Sequence, residues 1–182
     1  MLFRSCIAAL PHAKDERSIA EAVVVEASRH LDLASAALFF RDAPDGPLRR
    51  VLAHGWGEEH AGTLAADALL VRYLQGEHRP LRLHDAQWLP AGVPEGAALP
   101  VLAIPLLHRH LLTAVALYGA HANSTLPDPD EVALLHKLAQ AAAAAHKRLR
   151  ESRVRDDFPK ASPHLAQDPS GKSSLTLLSP TA

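Results

Sequence analysis

From Ala98 to Gly119 the chain runs through two apolar segments parted by only three polar residues, His108, Arg109 and His110. Each segment has the length of a strand rather than a helix, and β-branched Val101, Ile104, Thr113 and Val115 sit among the leucines. That mixture suits a pleated surface. Neither segment alternates apolar with polar residues. The expectation is a central antiparallel hairpin with little solvent on either face of its sheet, the rest of the chain serving as its cover or as a lead out of it.

A sheet covered on both sides consumes apolar residues, and 48% of the 182 residues are apolar although only 4% are aromatic. Alanine and leucine therefore carry the core. The length suits one domain with a tail. A net charge of −1 gives no global attraction to nucleic acid or anionic membrane. The single cysteine, Cys6, excludes an internal disulfide framework and any zinc site of several cysteines. It fits a reducing, cytoplasmic setting. The apolar run at the N-terminus is short, is broken by Arg4 and Ser5, and leads to no A-x-A site, so it does not read as a signal peptide. No run approaches the roughly 18 apolar residues that cross a membrane. An abrupt helical start is what the soluble end of a longer parent would show.

Residues 2–10 have the pattern of a short amphipathic helix stopped by Pro11. Ser18-Ile-Ala-Glu21 has the spacing of a capping box, and Ile19, Ala22, Val23, Ala27, His30 and Leu31 then recur at helical intervals. Ala36–Arg41 and Leu48–His54 read as strands joined by a turn whose strongest signal is Asp45-Gly46. Residues 64–75 return to helical spacing with Gly76 as its stop, and 80–84 form a short alternating strand. A loop rich in proline and glycine spans 85–97. Asp128-Pro129-Asp130-Glu131 is a helix start with a cap, a first-turn proline and acidic residues. Leu135, Leu138, Ala142, Ala145 and Leu149 follow at heptad spacing, a seam for packing on a partner helix. Residues 156–182, with four prolines, five serines and no periodicity, read as a disordered tail.

In this order the elements resemble a GAF domain, the small-ligand and signalling module. Leu102-Ala-Ile-Pro-Leu106 is similar to that family's strand with a Val-Pro-Leu type motif. Leu111–Gly119 resembles the partner strand, and Leu126–Ala139 the acidic start and leucine-rich body of the closing helix. One departure is Thr113, where such strands often carry glycine. The resemblance implies an α+β sandwich: an antiparallel sheet of five to six strands, terminal helices on one face, and a pocket under a helix and loops on the other. The implied organisation is a helical extension over 1–14, the GAF-like domain over 15–155, and the tail. Helices at 18–31 and 130–155 would form a dimer-side layer, while the 64–75 helix and the 85–97 loop would cover the pocket.

Pocket residues are then expected among the large or polar side chains near that cover, Trp56, Tyr73, His84 and Trp88. Other sites find less support. Asn123, Leu126, Asp130 and Glu131 match the spacing of the cyclic-nucleotide signature of some GAF domains, but Ser124 and Leu126 replace its lysine and phenylalanine. Cys6 stands before the domain as in one branch of bilin photoreceptors, without their accompanying motifs. The methionine-sulfoxide-reducing branch needs further cysteines to resolve a sulfenic intermediate. His108 and His110 could bring two imidazoles together, but spacing supplies no third ligand. The five basic residues over Lys147–Arg155 read as a solvated helix end rather than a nucleic-acid patch. No hydrolase or phosphate-loop motif occurs.

The expected function is therefore a non-enzymatic regulatory or sensor domain without catalytic residues, metal or cofactor. It binds a small molecule or partner protein and signals through a homodimer of its terminal helices. A ligand-free GAF-like scaffold for protein assembly is the alternative.

Overall fold

The structure is a computed structural model that describes residues 2–57, 62–85 and 99–157. Trp88, the 85–97 loop beyond Asp85, and the tail from 158 lie outside the described residues. Six strands form one sheet in the order β3-β2-β1-β6-β5-β4: β1 (Ala36–Arg41), β2 (Leu48–His54), β3 (Thr63–Leu64), β4 (Leu81–Arg82), β5 (Leu102–His108) and β6 (Leu111–Tyr118). All five neighbouring pairs are antiparallel. The expected hairpin is β5–β6, and β6 lies between β5 and β1 in the middle of the sheet.

Both faces of this sheet are covered, which explains the unbroken apolar runs. Leu38, Phe40, Ile104 and Ala116 face one core, whereas Phe39, Ala103, Val115 and Leu117 face another. Successive side chains of a strand point to opposite faces, so the central strands β1, β5 and β6 carry apolar residues at nearly every position. Pro105 is tolerated inside β5 because β4 pairs only with Leu102 and Ala103. Beyond that point β5 is an edge among the described residues, where a missing amide costs least.

The first core is roofed by helices. α1 (Leu2–Ala9) is followed by a 3-10 turn at Leu10–His12. Next come α2 (Glu16–Ala20), a π-helical turn (Glu21–Glu26) and α3 (Ala27–Leu31). The helix begins three residues earlier than the capping-box pattern suggests. Asp15 is the cap, and its Oδ1 accepts from the backbone N–H and the hydroxyl of Ser18, each at 2.7 Å. Asp32, at φ 50°, closes α3 in the left-handed region.

α5 (Pro129–Asp157) crosses the same face. Its start is a capping box: Asp128 Oδ1 accepts from the Glu131 N–H, and the Asp128 N–H donates back to Glu131 Oε2, both at 2.8 Å. His121 Nε2 stands 3.0 Å from the same glutamate. The predicted partner seam is spent inside the protomer. Leu135, Leu138, Ala142 and Ala145 are buried against the sheet and Leu149 packs beside them. Heptad spacing marks an apolar stripe, and a flat sheet buries such a stripe as well as a second helix does.

The second face carries α4 (Leu69–Glu77), which starts later than the sequence pattern suggests. Gly76 lies within it, and His78, at φ 58°, makes the left-handed cap instead. Leu64, read as helical, instead forms with Thr63 a short edge strand that pairs with β2. In the β1–β2 connection Gly46 does not adopt a positive φ; its N–H closes a turn onto the Ala43 carbonyl at 3.0 Å. Gly55 does need its freedom: at φ 67°, an added Cβ would run into the Ala34 carbonyl.

A cavity at the hairpin tips as candidate functional site

Among the described residues, the space beneath α4 is packed. Under α4, Leu70, Val71 and Leu74 meet Phe39, Val115 and Leu117. Trp56 lies half-buried against this core, edge-on to Phe39 with ring centroids 5.9 Å apart and the Arg50 guanidinium 5.8 Å from its ring. Tyr73 lines a smaller depression of 270 Å³ with Arg79 to Arg82 and Val132. His84 is exposed on a 3-10 turn. Trp56 and Tyr73 thus share the α4 side of the sheet, but they do not converge on one chamber, and Trp88 lies outside the described residues.

A larger cavity of 530 Å³ opens at the other end of the sheet, where the β1–β2 and β5–β6 connections meet α4. Five segments build its walls. The end of β1 and its loop contribute Arg41, Ala43, Pro44 and Asp45; the approach to α4 contributes Ala66 and Asp67. α4 presents Val71, Arg72 and Gln75, the start of β6 adds Leu111 to Thr113, and α5 supplies Arg150. A volume of this size is in the range of small-molecule sites, roughly 300–1,000 Å³.

Local chemistry holds each wall in place. Arg109 and His110 at the β5–β6 tip both have positive φ, 48° and 66°. This matches the two-residue loop whose twist suits a hairpin, here without glycine. Gln75 secures the strained tip: its Nε2 donates to the His110 carbonyl at 2.9 Å, and its Oε1 accepts from the Leu112 N–H at 3.0 Å. The register skips between Leu106 and Leu107, leaving Thr113 as the extra residue of a bulge. Its hydroxyl donates to the Leu106 carbonyl at 3.0 Å. That bulge is the structural use of the threonine that departs from the family pattern.

Arg41 is the unusual wall. It follows Ala37 and Phe39 on the α4 side of β1, where alternation would place another buried apolar residue. Its Nη1 donates to the Pro44 carbonyl at 2.9 Å, and its Nε is enclosed without an acceptor. Burial pulls its pKa below the ordinary value, with Asp45 pulling the other way; an arginine stays charged through such a shift. Arg150 closes the cavity from the helical side. Its two terminal nitrogens donate to the carbonyls of Arg41 and Asp42, at 3.1 and 2.8 Å.

The polar groups singled out for cyclic nucleotide are occupied structurally. Asn123 Oδ1 accepts from the N–H and hydroxyl of Thr125, and Glu131 completes the cap of α5. His108 pairs with Leu111 at the hairpin end, while His110 faces His78 with ring centroids 5.4 Å apart. Cys6 packs on the helical side of the sheet, opposite the core under α4. Sequence reasoning missed Arg41, Gln75 and Arg150. The sole signal was a charge at the sixth position of an otherwise apolar strand.

No family model matches the sequence, and no curated protein matches it. Solved structures do match its shape. The GAF domain of an Acinetobacter phosphoenolpyruvate-protein phosphotransferase superposes with a TM-score of 0.67 at 11% identity, over 82% of this chain and 92% of that one. The GAF domain of the Coxiella burnetii phosphoenolpyruvate-protein phosphotransferase gives 0.66 at 20% identity, over 84% and 94%. Free methionine-R-sulfoxide reductase from Neisseria meningitidis, solved with its substrate, gives 0.63 at 10% identity, over 83% and 89%. The fold is that of a GAF domain: a six-stranded antiparallel sheet of the α+β class, with helices on its faces. Among the described residues no helix is long and apolar enough to cross a membrane.

Proposed function

We propose that this chain is a non-enzymatic regulatory domain that senses a small molecule in the 530 Å³ cavity and passes its occupancy to α5. One observation carries the reading: Arg150 of α5 lines the cavity and at the same time grips the last carbonyl of β1 and the first of the loop after it. A ligand that favours one arrangement of the 42–47 loop therefore favours one position of Arg150, and with it one seating of the long helix. Differential binding of this kind is what shifts a two-state element. The single cysteine supports a non-enzymatic role, since a sulfenic intermediate would lack a resolving thiol.

Signalling through a homodimer belongs to the same reading, in a cytoplasmic setting and without nucleic acid. With Leu135 and Leu138 buried in the protomer, a twin would meet the outward face of α5, marked by Ala133, Lys137, Gln140 and Ala144, which are exposed. Sedimentation at several concentrations tests it, and a monomer at every concentration would remove the dimer from the mechanism.

The packed core under α4 favours a second reading, a ligand-free scaffold for assembly with other proteins. Thermal-shift screening against a metabolite library separates the two. A bound ligand at 100 times its Kd adds about 2.7 kcal/mol to stability. A hit should also alter amide exchange around Arg41 and Arg150. Silence across a broad library would leave the scaffold.

A further inference from the structure

We propose that the cavity selects a monoanionic ligand with an apolar body, its carboxylate held by Arg41. The inference rests on the reading of this cavity as the ligand site and adds the chemical class. Three features lead to it.

The first is an unmet donor. A guanidinium presents two edges to planar oxyanions, and a carboxylate prefers to take two parallel N–H bonds from one of them. In Arg41 the Nη1 nitrogen is engaged by the Pro44 carbonyl, whereas Nε is buried and has no acceptor. The Nε–Nη2 edge is therefore the one that can take a ligand, once a shift of the surrounding wall uncovers the enclosed Nε. A buried donor without an acceptor carries a standing desolvation cost, and an oxyanion on that edge relieves it.

The second is charge. Arg41, Arg72 and Arg150 line the cavity against Asp45 and Asp67, an excess of one positive charge. One negative charge balances that wall. A phosphate monoester, carrying nearly two, would bring its second charge toward the two aspartates. The third feature is the remaining lining. Val71, Leu111, Leu112 and Pro44 are apolar and offer a carboxylate's hydrocarbon body a place out of water.

The test is calorimetric titration of the full chain with phenylacetate, hexanoate and octanoate, each beside its neutral amide, and with hexyl phosphate. At least one carboxylate should bind at least tenfold tighter than its amide, and hexanoate tighter than hexyl phosphate. Arg41→Gln should remove that preference, so that each carboxylate binds no tighter than its amide. Its far-ultraviolet circular dichroism and melting curve show whether it has folded. If it has not, Ala66→Phe, at the cavity wall, should abolish carboxylate binding in a folded chain. Equal binding of carboxylate and amide, or tighter binding of hexyl phosphate, overturns the anion class and leaves the cavity as a ligand site. Undiminished carboxylate binding by folded Arg41→Gln, or by Ala66→Phe, overturns the proposal as well. Absence of binding by every probe also overturns it. If a metabolite screen is silent too, the sensor reading falls with it.

Discussion

The hydroxyl of Tyr118, at the end of the central strand, donates to the backbone carbonyl of Val23 over 2.9 Å. Val23 lies in the π-helical turn, where widened hydrogen bonding loosens the regular helical ladder. The bond joins sheet to helix across 95 residues of chain, in a site sealed from water. Burial also pushes the Tyr118 hydroxyl far above its ordinary pKa, so it remains a donor at any physiological pH.

Tyr118→Phe should therefore lose more stability than an exposed hydroxyl would cost. The Val23 carbonyl is left buried without its partner, a loss of about 1–3 kcal/mol. Urea unfolding of the two proteins measures it. A loss within 0.5 kcal/mol, about the size of an ordinary surface substitution, would mean that the π turn does not depend on this bond.

Leu138→Ala tests where the stripe of α5 is used. Leu138 is fully buried against the sheet of its own protomer. The substitution should cost about 2–5 kcal/mol through a cavity in the core. The loss should be the same at low and high protein concentration. A loss that fades on dilution would return Leu138 to an interface between chains.

Stability should fall as the solution is acidified from pH 7 toward 5. His146 is buried, with its ring 4.1 Å from that of Phe40. Burial holds its pKa below the ordinary 6.5; Glu16 opposes this, while Arg150 and Arg153 reinforce it. As the pH drops through about 6.5, the unfolded chain takes up a proton that the folded chain refuses, so unfolding gains. Half-buried His136 shifts in the same direction for the same reason. Asp15 acts in a lower window. Its bonds from Ser18 hold its carboxylate below 3.8, and that contribution is lost only as the pH falls through and below this value. Unfolding titrations at pH 8, 7, 6 and 5 read the slope. His146→Gln should flatten it, and an unchanged slope would remove His146 from the explanation.

Arg150→Met keeps much of the side chain's apolar length but removes both bonds to the end of β1. We expect a stability loss of about 1.5–3 kcal/mol, the range for a hydrogen bond to a charged group. Amide exchange should quicken in the 42–47 loop and the last turns of α5, with the centre of β6 unaffected. Exchange that quickens everywhere or nowhere would sever the link between the cavity and the long helix.

Much of the architecture was legible because it is local. Ala36–Arg41, Leu48–His54 and the β5–β6 hairpin announce themselves by apolar runs of strand length, and Asp128-Pro129 by the chemistry of a helix start. Gly119 closes the hairpin motif for a reason that sequence cannot show: a Cβ there would strike the side chain of Ser35.

The sequence alone determined the long strands, the closing helix and the GAF-like order of elements, since periodicity and capping act between residues close along the chain. Tertiary structure decided what those elements face. It turned Leu135, Leu138, Ala142 and Ala145 from a presumed seam into core, because a stripe of apolar side chains carries no label for its partner. It set Trp56 against the core and Tyr73 at a smaller depression, and opened the larger cavity beside Arg41, Gln75 and Arg150. Those three residues are far apart in sequence, and a site made by their meeting exists only once the sheet and both helices are in place.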